Sequence, residues 1–489
     1  MPANFIPTTA DYLRTLPEII LIVVGTLLML LEGLAGERNR KGTGIIAFVA
    51  ILAAFGAAFM AGLDNRGPAF QNFLIIDDFA TYFRLLVLVV GAFSVLCSMS
   101  YFEREDHDTG EYYALMLFSL VGQCLLASSN ELIMVFIGLE ISSIATYILC
   151  GFQRDDRRNN ESAIKYFLLG SFATTFLLYG VAWIYGMTGT TKLDQIGKLV
   201  ADPRAIDAPW MVAACCALMF VGFAFKVSAA PFQSWTPDVY QGAPAPVTMF
   251  MSAGPKAAAF AVFLRVFTTG FSSLGESWMP VVWVSALATM IIGNFAALTQ
   301  SNIKRVLAYS SIAHAGYVLV AIAARSEIGT AAALFYLASY AFMNLGAFAI
   351  VTHFSRAKER YVLVEDLAGL SQRQPVTAAL FTVFLLSLIG VPLTSGFFGK
   401  FYIFKAAIDS QLFWLAVLGL LNSAVAAYYY LRIIVVMYFH EPGQSADTAT
   451  APAPGISITM WASAVMIVVL GVYPGLLLRF ATISSFLPK

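Results

Sequence analysis

The stretch Val221–Pro246, VGFAFKVSAAPFQSWTPDVYQGAPAP, begins as an apolar helix and then stops being one. Lys226 stands in its apolar part, and Pro231, Pro237, Pro244 and Pro246 follow, with Trp235 and Asp238 among them. Proline removes a helical N–H and clashes with the turn before it. The helix that opens near residue 209 therefore cannot run straight to Ala245, and it breaks around Ser228, Ala230 and Pro231. Straight, it would be ~50 Å long at 1.5 Å per residue, against a hydrocarbon layer of ~30 Å.

That comparison is the right one because the chain cannot be water-soluble. Its 489 residues are 59% apolar and 12% charged, with a mean hydropathy of +0.77. This composition predicts an all-α integral membrane protein. Apolar stretches of spanning length fall near 17–35, 43–63, 78–100, 112–128, 131–151, 163–187, 210–230, 246–269, 278–298, 304–324, 328–353, 376–405, 412–438 and 456–480, which makes about fourteen transmembrane helices. The first, bounded by Glu37 to Lys41, reads as a retained helix, not a cleaved leader. The connections are short, and neither a phosphate-binding loop nor a nucleic-acid-binding patch occurs in them. Residues 443–454 read as a surface linker. Cys97, Cys124, Cys150, Cys215 and Cys216 lie in apolar stretches without CxxC spacing or a histidine cluster, so they read as packing residues and no metal site is expected.

Charge sets an expected orientation. The odd-numbered connections hold 13 Lys and Arg: Arg38, Arg40, Lys41, Arg104, Arg154, Arg157, Arg158, Lys304, Arg305, Arg356, Lys358, Arg360 and Arg373. The termini and even-numbered connections hold 8: Arg14, Arg66, Lys192, Lys198, Arg204, Arg325, Arg479 and Lys489. Both termini are then expected on the non-cytoplasmic side. Arg84, Lys165, Arg265, Lys405 and Arg432 sit near span ends, where snorkelling is the expected role. Glu32, Asp77 and Asp78 are expected at the interface.

A second span is also too long, from Val376 to about Ile408, and LIGVPLTSGFFGK weakens it through Gly390, Pro392, Gly396 and Gly399, with Lys400 beside the break. Interrupted helices at matching places in two halves point to an ion path. The two breaks lie five helices apart, and an odd number of spans inverts the second copy. SSIATY at 142–147 and SSIAHAGY at 310–317, 168 residues apart, echo each other. The expected organisation is a three-helix segment (1–110), a repeat of helices four to eight (111–270), its inverted copy of helices nine to thirteen (271–440), and a linker with a last helix (441–489).

Four ionisable residues lie deep in spans, where a charge costs ~2.5–3.5 kcal/mol and faces protein or water. Glu140 lies ten residues past Asn130 and Lys256 ten past Pro246, each ~15 Å into its helix. With Lys226 and Lys400 they give one carboxylate and three amines, and His314 is a further candidate. A carboxylate approaching or leaving Lys226 would favour or disfavour the ammonium, which is the requirement of a proton relay. Competing readings are a Lys226 that satisfies carbonyls freed by the break, a Lys256 that snorkels, a structural Glu140, an interfacial Lys400 and a satisfied core His314. Asp238 and Trp235 read as fixing a loop or interface.

KVSAAPFQSWTPDVYQGAPAPVTMFMSAGPKAA (226–258) and ALTQSNIKRVLAYSSIAHAGY (297–317) resemble the two shared blocks of the antiporter-like subunits of respiratory complex I and of Mrp-type sodium/proton antiporters. The resemblance runs from about the third span to the thirteenth. Length and span number are most similar to the N type. The L type carries a long lateral helix, and the M type usually has glutamate where Lys400 stands. The resemblance implies a controlling ion pair of Glu140 and Lys226, a central relay at Lys256 and an exit-side residue at Lys400. It implies a proton-translocating subunit of an NADH:ubiquinone reductase with no cofactor or redox centre in this chain, FMN, iron-sulfur clusters and quinone belonging to other subunits. Its partners would be the bilayer, protons and M-type and K-type neighbours, in a bacterial inner membrane or else a mitochondrial one. The alternatives are a subunit of a Mrp-type antiporter and a structural membrane scaffold.

Overall fold

A computed structural model describes residues 6–34, 42–105, 110–202, 209–355, 363–442 and 451–485. Arg38, Arg40, Lys41, Arg204, Arg356, Lys358, Arg360, Lys489, the Glu37–Lys41 boundary and most of the 443–454 linker lie outside them, as do the side chains of Glu32 and Arg104.

Apolar runs of this length have one way to satisfy their backbone in lipid, which is to coil. The described residues form a short α1 (Thr9–Arg14) and then the membrane helices α2 (Leu16–Leu34), α3 (Thr43–Asp64) and α4 (Asp78–Glu105). The first repeat follows as α5 (Gly110–Ser128), α6 (Leu132–Cys150), α7 (Arg157–Thr188), the surface helix α8 (Leu193–Ala201), the broken pair α9 (Pro209–Val227) and α10 (Trp235–Gly242), and α11 (Ala245–Arg265). The second comprises α12 (Gly275–Leu298), α13 (Ile303–Ala323), α14 (Glu327–Phe354), α15 (Leu370–Arg373), the broken pair α16 (Pro375–Ile389) and α17 (Ser395–Asp409), and α18 (Phe413–Phe439). α19 (Pro454–Val472) and α20 (Gly475–Ile483) close the chain. Among the described residues twelve helices are long and apolar enough to span, and α2 and α16 supply two shorter apolar ones. The all-α membrane fold with two broken helices is thus as expected.

The inverted repeat has a measurable register. Isolated β-bridges join Glu131 to Lys192 and Asn302 to Leu363, a displacement of 171 residues in both partners. A Cβ on Gly122 would press on Ser142 N at 2.4 Å and Gly138 O at 2.5 Å, and one on Gly293 on Ala313 N at 2.6 Å and Tyr309 O at 2.9 Å. These atoms also correspond at 171. The 168-residue echo of SSIA is therefore three residues out of structural register. In the true register Ser311 occupies the place of Glu140, and His314 that of Ser143. Both glycines let two helices meet backbone to backbone. Gly122→Val and Gly293→Val are each expected to destabilise by about 1–3 kcal/mol, read as a lower melting temperature of the purified assembly.

Three features escaped the sequence. A hairpin of β1 (Gly67–Ala69) and β2 (Leu74–Ile76) turns through Phe70, Gln71 and Asn72 at positive φ. Arg14 fixes it by donating to the carbonyls of Asn65, Arg66 and Pro68 at 2.7–3.0 Å. Arg84 and Arg265 do not snorkel. Arg84 is 0% exposed and its Nε donates to Glu18 at 3.0 Å, while Arg265 holds Asp77 through two bonds of 2.8 and 2.9 Å. Burial opposes ionisation of Asp77, but Arg265 and the Ala80 N–H outweigh it and hold that carboxyl below the usual carboxylate range. Lys304, counted above with the loops, is also 0% exposed.

α11, α13 and α14 lie at the centre, with 94% of the spanning window of each buried, against 39% for α3, α7 and α18. The side chains at the middle of these three helices are enclosed by protein.

Candidate functional site

The first break sits where the prolines place it, and α12 satisfies both backbone groups of Ala230 within it. Ser228 adopts φ +65°, and its hydroxyl accepts from Thr236. The Ala230 N–H donates to Thr289 Oγ1 at 2.8 Å, and the Ala230 carbonyl accepts from Ser285 Oγ at 2.6 Å. Both partners belong to α12, so one repeat closes the break in the other. Trp235 donates its indole N–H to the Phe225 carbonyl at 2.9 Å and stacks on Tyr166 at 4.4 Å. Asp238 accepts from Lys165 at 2.9 Å and from Arg305 at 2.8 Å, pinning α10 to α7 and α13. These two residues therefore fix the interruption. Pro237 lies in the first turn of α10, where the missing N–H costs little, so a separate helix opens after the break and α9 is not continued, as expected.

Lys226 occupies the last turn of α9, the end where a helix favours positive charge. Its ammonium donates to Tyr147 Oη at 3.0 Å and lies 4.9, 5.2 and 5.6 Å from the rings of Tyr147, Tyr166 and Phe225. Glu140 is not its partner in this structure. The carboxylate is half-buried, its Oε1 has no hydrogen bond, and among the described residues it makes no ion pair. At 100° per residue Glu140 points about a third of a turn away from the face formed by Leu139, Ser142, Ser143 and Thr146, toward exposed Ile137 and Ile144.

That polar face, with Lys226, Tyr240, Pro255 and Lys256, lines one small cavity, so the two lysines share a space. Lys256 is 3% exposed and donates to the Ser311 carbonyl at 3.0 Å and to the Ser311 hydroxyl. Ser310 next to it meets the Tyr430 hydroxyl. His314, one turn along α13, lies between Tyr336 Oη at 2.6 Å and Tyr430 Oη at 3.3 Å. Lys400 is 6% exposed, lies 4.9 Å from the Tyr317 ring, and donates to Ser423 Oγ at 2.8 Å.

The two break lysines are equivalent in space and not in sequence. Lys226 belongs to the half-helix before its break, whereas Lys400 belongs to α17, after its own. Lys400 reaches back to the carbonyls of Leu388 and Ile389 at 3.0 and 2.8 Å. Both ammoniums therefore sit at the C-terminal end of a first half-helix. Gly390, at φ +92°, makes the turn, and a Cβ there would touch the Lys400 chain at 3.1 Å.

The structure thus brings Lys226 and Lys256 to one cavity, joins Lys256 to α13, and places His314 between that contact and Lys400. Sequence reasoning missed the hydroxyls of Tyr147, Ser311, Tyr336, Ser423 and Tyr430 that separate these groups. Tyr147 and Ser311 fall within SSIATY and SSIAHAGY, and Tyr430 within AYYYLRI at 427–433, three consecutive tyrosines in an apolar span.

Two inverted five-helix units, each with a broken helix and a lysine ammonium at the break, make an antiporter-like membrane subunit. A family model described as NADH:quinone oxidoreductase/Mrp antiporter, transmembrane, matches residues 129–426. The chain is 59% identical over 485 residues, 99% of each chain, to NADH-quinone oxidoreductase subunit N 1 of Solibacter usitatus (strain Ellin6076). It is similar to a chain in a structure of respiratory complex I from Thermus thermophilus with bound aureothin, at TM-score 0.80 and 33% identity, over 95% of this chain and 99% of that one. A chain of the Mrp complex from Dietzia sp. DQ12-45-1b shares the fold at TM-score 0.84 and 20% identity, over 98% and 97%. The chain belongs to the subunit N family of NADH-quinone oxidoreductase and is a multi-pass membrane subunit of that complex.

Proposed function

We propose that this chain moves protons across a bacterial inner membrane through Glu140, Lys226, Lys256, His314 and Lys400, driven by quinone reduction in another part of the complex. The observation that carries this reading is the shared cavity of Lys226 and Lys256, continued by hydroxyls and an imidazole to Lys400. FMN, iron-sulfur clusters and quinone are assigned to other subunits, and M-type and K-type neighbours flank the chain. Both termini face the periplasm. The basic excess on the odd-numbered connections supports that orientation, with Lys304 removed from the count because it is buried.

Tyr147 lies seven residues, about 10 Å, beyond Glu140 on the same side of α6. The Lys226 ammonium at Tyr147 is then in the separated arrangement of the pair. Bringing a carboxylate to ~4 Å would favour its protonated form by on the order of 4 kcal/mol at an effective dielectric of 20. That exceeds the ~2.3 kcal/mol needed to move one charge against 100 mV. Contact between Glu140 and Lys226 loads the amine, and separation passes its proton to the cavity that Lys256 lines.

Glu140→Ala and Lys226→Ala in the assembled complex are each expected to lower proton pumping per NADH oxidised. Full pumping in both variants would overturn the relay. Sodium-dependent transport without co-purifying flavin and iron-sulfur subunits would instead mark an antiporter.

A further inference from the structure

Tyr336, Tyr340 and Asn344 stand one turn apart on a single stripe of α14. The stripe faces α13, because the rings of Tyr336 and Tyr340 lie 5.9 and 5.1 Å from His314. Asn344 is 1% exposed, and neither its amide nitrogen nor its amide oxygen has a partner. The Tyr340 hydroxyl and that of Tyr240 on α10 are likewise buried and unpaired. Both hydroxyls lie close to Ser311, and that of Tyr340 close to Asn344, without any of these contacts closing as a hydrogen bond. Each buried polar group left unpaired costs about 1–3 kcal/mol. Native proteins meet such a cost with ordered water.

The levels of these groups follow from the fold. α13 and α14 run antiparallel about a turn at residues 324–326, so Tyr340 lies level with about residue 310 and Asn344 with about residue 306. Lys304 is a further half-turn out, at the start of α13, on the side of the odd-numbered connections. It falls two turns, about 10 Å, from Ser311 on the same face of the helix. Its ammonium donates to the Ala243 carbonyl at the end of α10. An amine, an amide, two phenols and a serine thus descend in order from that side to Lys256.

We propose that Lys304, Asn344, Tyr240 and Tyr340 form a hydrated access branch that carries protons from the side of the odd-numbered connections to Ser311 and Lys256. The branch rests on the relay reading above and meets it at Lys256, bypassing Lys226. A proton leaves the Lys304 ammonium for water, passes along water held by the Asn344 amide and the two hydroxyls, and is taken by the neutral Lys256 amine. No electron moves. The Asn344 amide both donates and accepts, as an element of a water chain must.

The test is a size series at Asn344, read in inverted membrane vesicles of the assembled complex as initial proton uptake per NADH oxidised. Asn344→Leu fills the space with apolar atoms and is expected to cut uptake at least threefold more than Asn344→Ala, which removes the amide but leaves room for a further water in its place. Lys304→Met is expected to follow Asn344→Leu. Wild-type uptake in Asn344→Leu, or equal losses in the Leu and Ala variants, would overturn the branch, the latter result marking a packing role. Should Asn344→Leu fail to assemble, the comparison of Lys304→Met with Asn344→Ala decides, wild-type uptake in both counting against the proposal. Lys256→Met, measured in parallel, separates the two readings. If it pumps normally the relay fails, and if it alone loses uptake only the branch fails.

Discussion

Replacing Lys256 by methionine is expected to stop proton transfer through this chain while leaving the complex assembled. The side chain is the amine that touches both the cavity beside Lys226 and Ser311 on α13. Methionine keeps its length and its packing but has no group that holds a proton. Without it the charge must cross a layer sealed by α11, α13 and α14. Even with relaxation a charge at such depth costs ~2.5–3.5 kcal/mol, which is about a hundredfold or more in rate. Lys256→Arg is expected to fail as well, because a guanidinium keeps its charge but does not release its proton. A structural cation would instead be rescued by arginine. Proton uptake per NADH in inverted vesicles reads both variants, and normal uptake in either would refute the assignment.

Arg84→Met is expected to be the most damaging change outside the relay. Arg84 binds Glu18 through Nε and Nη2 and caps the Arg14 carbonyl at 3.0 Å, clamping the start of α2 to α4. Removing the guanidinium leaves the Glu18 carboxylate buried with no counter-charge. Breaking a buried pair on one side costs about 3–5 kcal/mol. The double variant Glu18→Met with Arg84→Met removes both charges and is expected to recover most of that loss. Thermal unfolding of the purified complex measures the cycle, and a double variant as unstable as the single one would show that packing, not charge, is at stake.

Arg84 also shows where sequence reasoning ended. Hydropathy alone located the spans because each must hold about twenty apolar residues, and the prolines and glycines located both breaks because they remove helical bonds. Lys226, Lys256, Lys400 and Glu140 were legible as ionisable residues at depth. The direction each one points was not. A long side chain near a span end reads the same whether it snorkels, as was expected of Arg84, or turns inward to Glu18, as it does. Lys304 was misassigned for that reason. The register failed for another, since four identical residues outweighed no competing signal, while the glycine contacts that set 171 are visible only once helices pack. Tyr147 and Tyr430 were hidden because a tyrosine in an apolar span reads as a hydrophobe until its hydroxyl finds a partner.

The turn beneath Lys226 is tied to two hydroxyls of α12, the helix that opens the opposite half of the molecule. Among the described residues the second interruption has no such tie to the opposite half. It leans on α19, where a Cβ on Gly471 would strike the Leu393 carbonyl at 2.2 Å. The two interruptions are therefore anchored differently, one by the opposite unit and one by a helix outside both. A tilt of α12 drags the Lys226 turn with it, whereas the turn at Gly390 is referenced to a helix outside both units. A hydrogen-bonded tie transmits displacement both ways, so the Lys226 turn and α12 move as one piece, while the Gly390 turn takes its reference from elsewhere.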